Sequence, residues 1–95
     1  FGPVLQMVRA KDFEEAVRLP SEHQYGNGVA IFTRNGHAAR EFAARVNVGM
    51  VGINVGIIAN EVAPFGGVKQ SGIGREGSRY GIEEYLELKY LCLAV

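Results

Sequence analysis

Apolar and polar residues change period several times along this chain, and each change predicts an element. Residues 4–9, VLQMVR, alternate weakly and read as a strand. Asp12 then stands as an N-cap, with Glu14 and Glu15 in the first turn of a helix, DFEEAVRL. Phe13, Ala16 and Val17 give that helix its apolar face. Pro20 is expected to stop it, because proline cannot continue the interior hydrogen bonding. QYGNG reads as a turn, and VAIFT, residues 29–33, as a short buried strand. Asn35 caps a second helix over roughly residues 36–45, with Ala38, Ala39, Phe42, Ala43 and Val46 on one side. VGMVGIN, residues 48–54, is another buried strand.

Strand, helix, strand, helix, strand is the alternation of an α/β unit with parallel neighbours. It stops at residue 54. Residues 55–79 are glycine-rich without a clear period and read as a long ordered loop, a kind that is usually functional. A short helix over residues 81–85 follows. LELKYLCLAV, residues 86–95, alternates and is apolar on both faces, so it reads as a strand that needs a partner. The expected organisation is an α/β body over residues 1–85 and an oligomerisation strand over residues 86–95.

The 95 residues make at most one small domain. Formal net charge is zero, which argues against a nucleic acid or an anionic membrane surface as partner. No apolar run reaches transmembrane length. Cys92 is the single cysteine, so no internal disulfide forms, and no Cys/His cluster has metal-ligand spacing. A reducing compartment, the cytoplasm, is the expected location. The chain begins with Phe, which reads as a piece of a longer protein. Glycine, at 13 of 95, exceeds its usual share of about 7% and points to backbone in close approach.

The chemistry concentrates in PFGGVKQSGIGREG, residues 64–77, where Gly72, Gly74 and Gly77 have G-x-G-x-x-G spacing. A dinucleotide fingerprint follows a strand, opens a helix and finds an acidic residue about 20 positions on. Neither flank meets that requirement. The loop reads instead as scaffold that positions Pro64 and Phe65 and braces the last helix. Arg75 has two open readings, a solvated pair with Glu76 or a reach across to Glu87. His23 and His37 read as solvated, and Cys92 as a buried inert thiol. Ser71 and Ser78 have no evident base. The residues present do not make a self-contained catalytic set.

Taken together, these motifs resemble the C-terminal segment of NAD(P)-dependent aldehyde dehydrogenases. FGPV at the start is similar to the end of that family's E-x-F-G-P-V motif, residues 64–76 to its P-F-G-G-x-K-x-S-G-x-G-R-E signature, and YGIEEYLELKY to its Y-G-x-x-x-Y-x-x-x-K ending. Residues 56–92 resemble succinate-semialdehyde dehydrogenases, and residues 25–54 look more like methylmalonate-semialdehyde dehydrogenases. The resemblance implies the C-terminal part of a catalytic domain and an NAD- or NADP-dependent oxidation of a semialdehyde, succinate semialdehyde first, to its acid. In that chemistry a cysteine thiolate attacks the aldehyde, hydride leaves to the nicotinamide, and a glutamate activates water to hydrolyse the thioester. The family's nucleophile and base lie N-terminal to Phe1, so the chain alone is expected to be inactive and to bind no cofactor. Phe1 matches the phenylalanine beside the nicotinamide ring. Ala59 and Phe65 match the substrate-pocket wall, although succinate-semialdehyde enzymes commonly carry a serine where Ala59 stands. Arg75 and Glu87 match a structural pair tying the glycine loop to the oligomerisation strand. The expected partners are a second copy or the rest of the enzyme, through residues 86–95. The rival reading is a non-catalytic truncated assembly or interaction module.

Overall fold

The structure is a computed structural model that describes residues 2–94. Helix α1 (Phe13–Glu22) starts where Asp12 accepts a hydrogen bond from the Glu15 amide. Strands β1 (Tyr25–Gly26) and β2 (Gly28–Ile31) follow, then helix α2 (Gly36–Arg45), β3 (Met50–Ile53), β4 (Val68–Lys69) and a 3₁₀ turn (Gly81–Tyr85). The Asn35 carboxamide accepts from the His37 and Ala38 amides and so caps α2 as expected. β2 and β3 pair in parallel, with Val29 opposite Val51 and Ile31 opposite Ile53. α2 provides their crossover. β1 pairs antiparallel with β4, joining the glycine-rich loop to the α/β body.

The core is small and lies between the helices and the β2–β3 pair. Val17 of α1 meets Phe42 and Val46 of α2, and Phe13, Val29, Ile31, Val48 and Val51 pack around them. Ala39 is the other buried apolar residue of α2. These are the helical faces that the periodicity predicts. Outside this core, Arg45 bridges the helices through a two-pronged bond to Glu14 and sits over the Phe13 ring.

Several expectations are corrected. Pro20 lies inside α1 and does not stop it. Only the end of the helix follows it, so proline removes a single hydrogen bond, the one to Ala16 O, and the Ser21 hydroxyl adds a bond to Val17 O in the same turn. Residues 4–9 form no strand, because no other described segment lies beside them to complete a ladder. VAIFT supplies strand only to Ile31, and Phe32 is exposed. Residues 86–94 likewise form no ladder among the described residues, and their side chains stand in solvent. Cys92 is therefore exposed, not buried. The Cα radius of gyration is 17.8 Å, whereas a compact chain of this length has about 12 Å. Among the described residues, the apolar segments 4–8 and 86–94 thus remain without a cover.

The interhelical pair makes stability depend on acid. The hydrogen bond from Arg45, helped by its charge, holds the Glu14 carboxyl below its ordinary value of 4.5. A depressed folded value means that the contribution is fully present above the unfolded value and is lost as pH falls through the folded one. Glu14→Gln should flatten the acid limb of a plot of melting temperature against pH. Parallel acid limbs for parent and variant would remove Glu14 from the account.

Candidate functional site

Ala59 and Phe65 are the residues that the resemblance puts on a pocket wall. They line a recess of about 420 Å³ together with Asn60, Glu61, Glu76 and Gly77. The recess is built by two strips of backbone. Asn60 forms an Asx-type turn in which its side-chain oxygen accepts from Val62 N at 2.9 Å and its carbonyl from Ala63 N at 3.2 Å. Beyond that turn Phe65 and Glu76 exchange both backbone bonds, at 2.9 and 2.7 Å. Ser78 N donates to Glu61 O at 2.9 Å and closes the other end. With their backbone groups paired, these residues present side chains to the recess. Ala59 and the half-buried Phe65 ring make an apolar wall, and the exposed Glu61 and Glu76 add negative charge at the rim. Such a recess can seat and orient a small organic molecule, but none of its lining residues is a thiol, hydroxyl or imidazole nucleophile.

A larger recess of about 780 Å³ shares Phe65, Glu76 and Gly77 with it and runs along the glycine triplet. Gly72, Gly74 and Gly77 all have positive φ, so the triplet shapes turns. It does not fit a nucleotide phosphate. The Glu84 carboxylate lies 2.6 Å from where a Cβ on Gly74 would sit, and negative charge there repels an anion. The triplet's role as scaffold, expected from its flanks, agrees with this geometry.

Arg75 does not pair with Glu87 among the described residues. Its Nη1 donates to Gly67 O and Gly74 O, both at 2.7 Å, so its guanidinium closes the loop on itself. Glu87 stands exposed on the terminal segment. Arg75 has carbonyls within its own loop to bind, and the terminal segment does not fold back over that loop. Phe1 lies outside the described residues. His23 is exposed and accepts from Tyr25 N, and Ser71 accepts from Gly26 N at 2.9 Å, so both serve turns.

Sequence reasoning passed over Lys69. Its Nζ donates to Ser21 O at 2.9 Å, His23 O at 2.8 Å and, more weakly, Pro20 O at 3.5 Å. These are the carbonyls at the C-terminal end of α1, where the helix dipole favours a cation and the last turn of α1 has no basic residue. Lys69 also adopts φ +58, a left-handed conformation that costs a non-glycine residue about 1–2 kcal/mol. Gly26 leaves space for the lysine stem, since a Cβ there would lie 2.7 Å from Lys69 Cε. The available signal was a helix end without a basic residue and one lysine in a glycine loop.

The profile of the aldehyde dehydrogenase family matches residues 1–91. The chain is 48% identical over 95 residues to a glutarate-semialdehyde dehydrogenase of Pseudomonas putida, covering 100% of this chain and 20% of that protein. Among solved structures, a succinate-semialdehyde dehydrogenase from Burkholderia pseudomallei superposes with TM-score 0.82 at 51% identity, over 93% of this chain and 18% of that one. A protein of Sinorhizobium meliloti 1021, described as a methylmalonate-semialdehyde dehydrogenase and solved with NAD, gives TM-score 0.80 at 52% identity, over 86% and 17%. The chain thus spans about a fifth of the length of the curated relatives it matches.

Proposed function

The chain belongs to the aldehyde dehydrogenase family, and on that premise we propose that it acts as the C-terminal part of an NAD(P)-dependent semialdehyde dehydrogenase. The observation that carries this reading is the recess lined by Ala59 together with the bridged residues Phe65 and Glu76. Its role is to wall the substrate pocket. The apolar wall excludes water from the reacting carbon, and the paired backbone keeps the Phe65 ring in place. The nucleophile, the general base and the dinucleotide site are supplied by the rest of the enzyme. No step of hydride transfer runs through these residues. A semialdehyde is favoured as substrate by the similarity to glutarate- and succinate-semialdehyde dehydrogenases. Ala59 offers no hydroxyl to a distal carboxylate, so that carboxylate is bound by groups outside this chain. The apolar residues 86–94 dock on the rest of the enzyme or on a second copy, and the assembly is cytoplasmic.

The test is a hybrid enzyme. The N-terminal four-fifths of the Pseudomonas putida relative would be joined to this chain in register. The hybrid is expected to reduce NAD or NADP with glutarate or succinate semialdehyde. The chain alone is expected to give no reduction. An assembled, soluble hybrid without activity would overturn the reading, and so would activity of the chain alone that survives Cys92→Ala.

A further inference from the structure

The glycine loop carries the pocket wall, so its position on the α/β body matters. Two groups hold it, and they do different work. Arg75 bonds only to carbonyls of its own loop, Gly67 O and Gly74 O, and therefore fixes the loop's shape. Lys69 bonds only to carbonyls of another element, at the end of α1, and therefore fixes the loop's place. The other hydrogen bonds to the body are few: the two-residue β1–β4 ladder, Gln70 N to Gln24 O, and Gly26 N to Ser71 Oγ. Glycine would adopt φ +58 without strain, so the lysine at this position is explained by what its side chain does.

We propose that Lys69 is a positioning residue of the substrate pocket: its ammonium, seated among the Pro20, Ser21 and His23 carbonyls, holds the loop so that Phe65 and Glu76 stand at the distance from the body that substrate affinity requires. The proposal rests on the semialdehyde dehydrogenase reading. The three oxygens form a cation seat at the negative end of a helix, and the loop brings its own cation to it. Removing the cation frees the loop to lift as a unit while Arg75 keeps its internal shape. Lys69 touches no reacting atom and acts through Phe65.

The experiment uses the hybrid enzyme with Lys69→Met, Lys69→Gly and Lys69→Arg. Lys69→Met is expected to raise KM for the semialdehyde about tenfold while kcat falls less than about threefold, the pattern of lost binding energy. Amide exchange at Gln70 and Gly26, whose hydrogen bonds join the loop to the body, should quicken by about the same factor. Lys69→Gly should behave like Lys69→Met, although it relieves the backbone. Lys69→Arg keeps charge and donors and should stay within about threefold of the parent KM. Three results would overturn the proposal: a lower melting temperature with unchanged KM, a Lys69→Gly variant as good as the parent, or a Lys69→Arg variant as poor as Lys69→Met. If Lys69→Met does not fold, the Gly and Arg variants decide the same question. Failure of the underlying reading is separately visible, because the hybrid would then be inactive with Lys69 intact. In that case exchange at Gln70 and Gly26 still tests the latch, and equal exchange in parent and Lys69→Met would refute it.

Discussion

Phe42→Ala should lower the stability of this chain by about 3–5 kcal/mol, the usual cost of emptying a buried aromatic site. Phe42 is 7% exposed and stands in the middle of α2 between Val17 and Val46. It links the two helices to the β2–β3 pair, so its ring has no substitute within the core. A chain of this size commonly has about 5–14 kcal/mol in total, and the exposed ends here place it low in that range. The loss would therefore remove most or all of the folded population. Urea denaturation followed by helical ellipticity would show it, as a lower midpoint or no cooperative transition. A loss below about 1 kcal/mol would mean that the core lies elsewhere.

The parts of this fold that could be read from the sequence are the parts that local rules determine. Asp12 and Asn35 cap their helices because a short side-chain acceptor in that position reaches the free amides of the first turn. Val17, Phe42 and Val46 are buried because helical spacing puts them on one face. β2 and β3 lie parallel because a helix separates them. Ala59 and Phe65 line one recess, and its role as a substrate-pocket wall is a proposal drawn from motif resemblance, not from periodicity.

The misreadings have a different cause. Residues 4–9 and 86–94 have the alternation of strands, but a strand needs a neighbour, and alternation does not say where that neighbour is. Cys92 is exposed for the same reason, since its burial depended on a sheet that does not form within the chain. Pro20 obeyed the rule for helix interiors only in part, because it falls within the last turn where little bonding remains to be lost. Arg75 and Lys69 bind backbone carbonyls, and every residue offers one of those. A carbonyl partner leaves no mark in the residue types, whereas a carboxylate such as Glu87 does. That asymmetry made Glu87 and Glu76 legible as partners of Arg75, left its carbonyl partners unseen and hid Lys69 altogether.

Gly49→Ala is expected to do comparable damage without touching the core. Gly49 lies between α2 and β3, and its amide donates to Gly26 O at 2.9 Å. A Cβ there would fall on the carbonyl oxygen of Gly66, with Gly67 Cα 2.7 Å and the Gly66 carbonyl carbon 2.9 Å away. All three are backbone atoms, so no side chain can turn aside. Gly67 is confined on a different side, with Asn27 Cα 2.8 Å and Gly26 O 3.0 Å from its own absent Cβ. The backbone of residues 66 and 67 is thus packed against residue 49 and against residues 26 and 27 at distances that leave no room for a methyl group. The substitution should cost about 2–3 kcal/mol, the upper part of the overpacking range. Relief comes only from moving the glycine loop outward, which carries Phe65 with it. In the hybrid enzyme KM for the semialdehyde should therefore rise along with the loss of melting temperature. Gly36→Ala supplies the control, because nothing lies within 4 Å of its added methyl group and alanine favours helix over glycine by about 1 kcal/mol. The control should melt at or above the parent temperature. Equal melting temperatures for Gly49→Ala and Gly36→Ala would mean that the loop does not rest on residue 49 in solution.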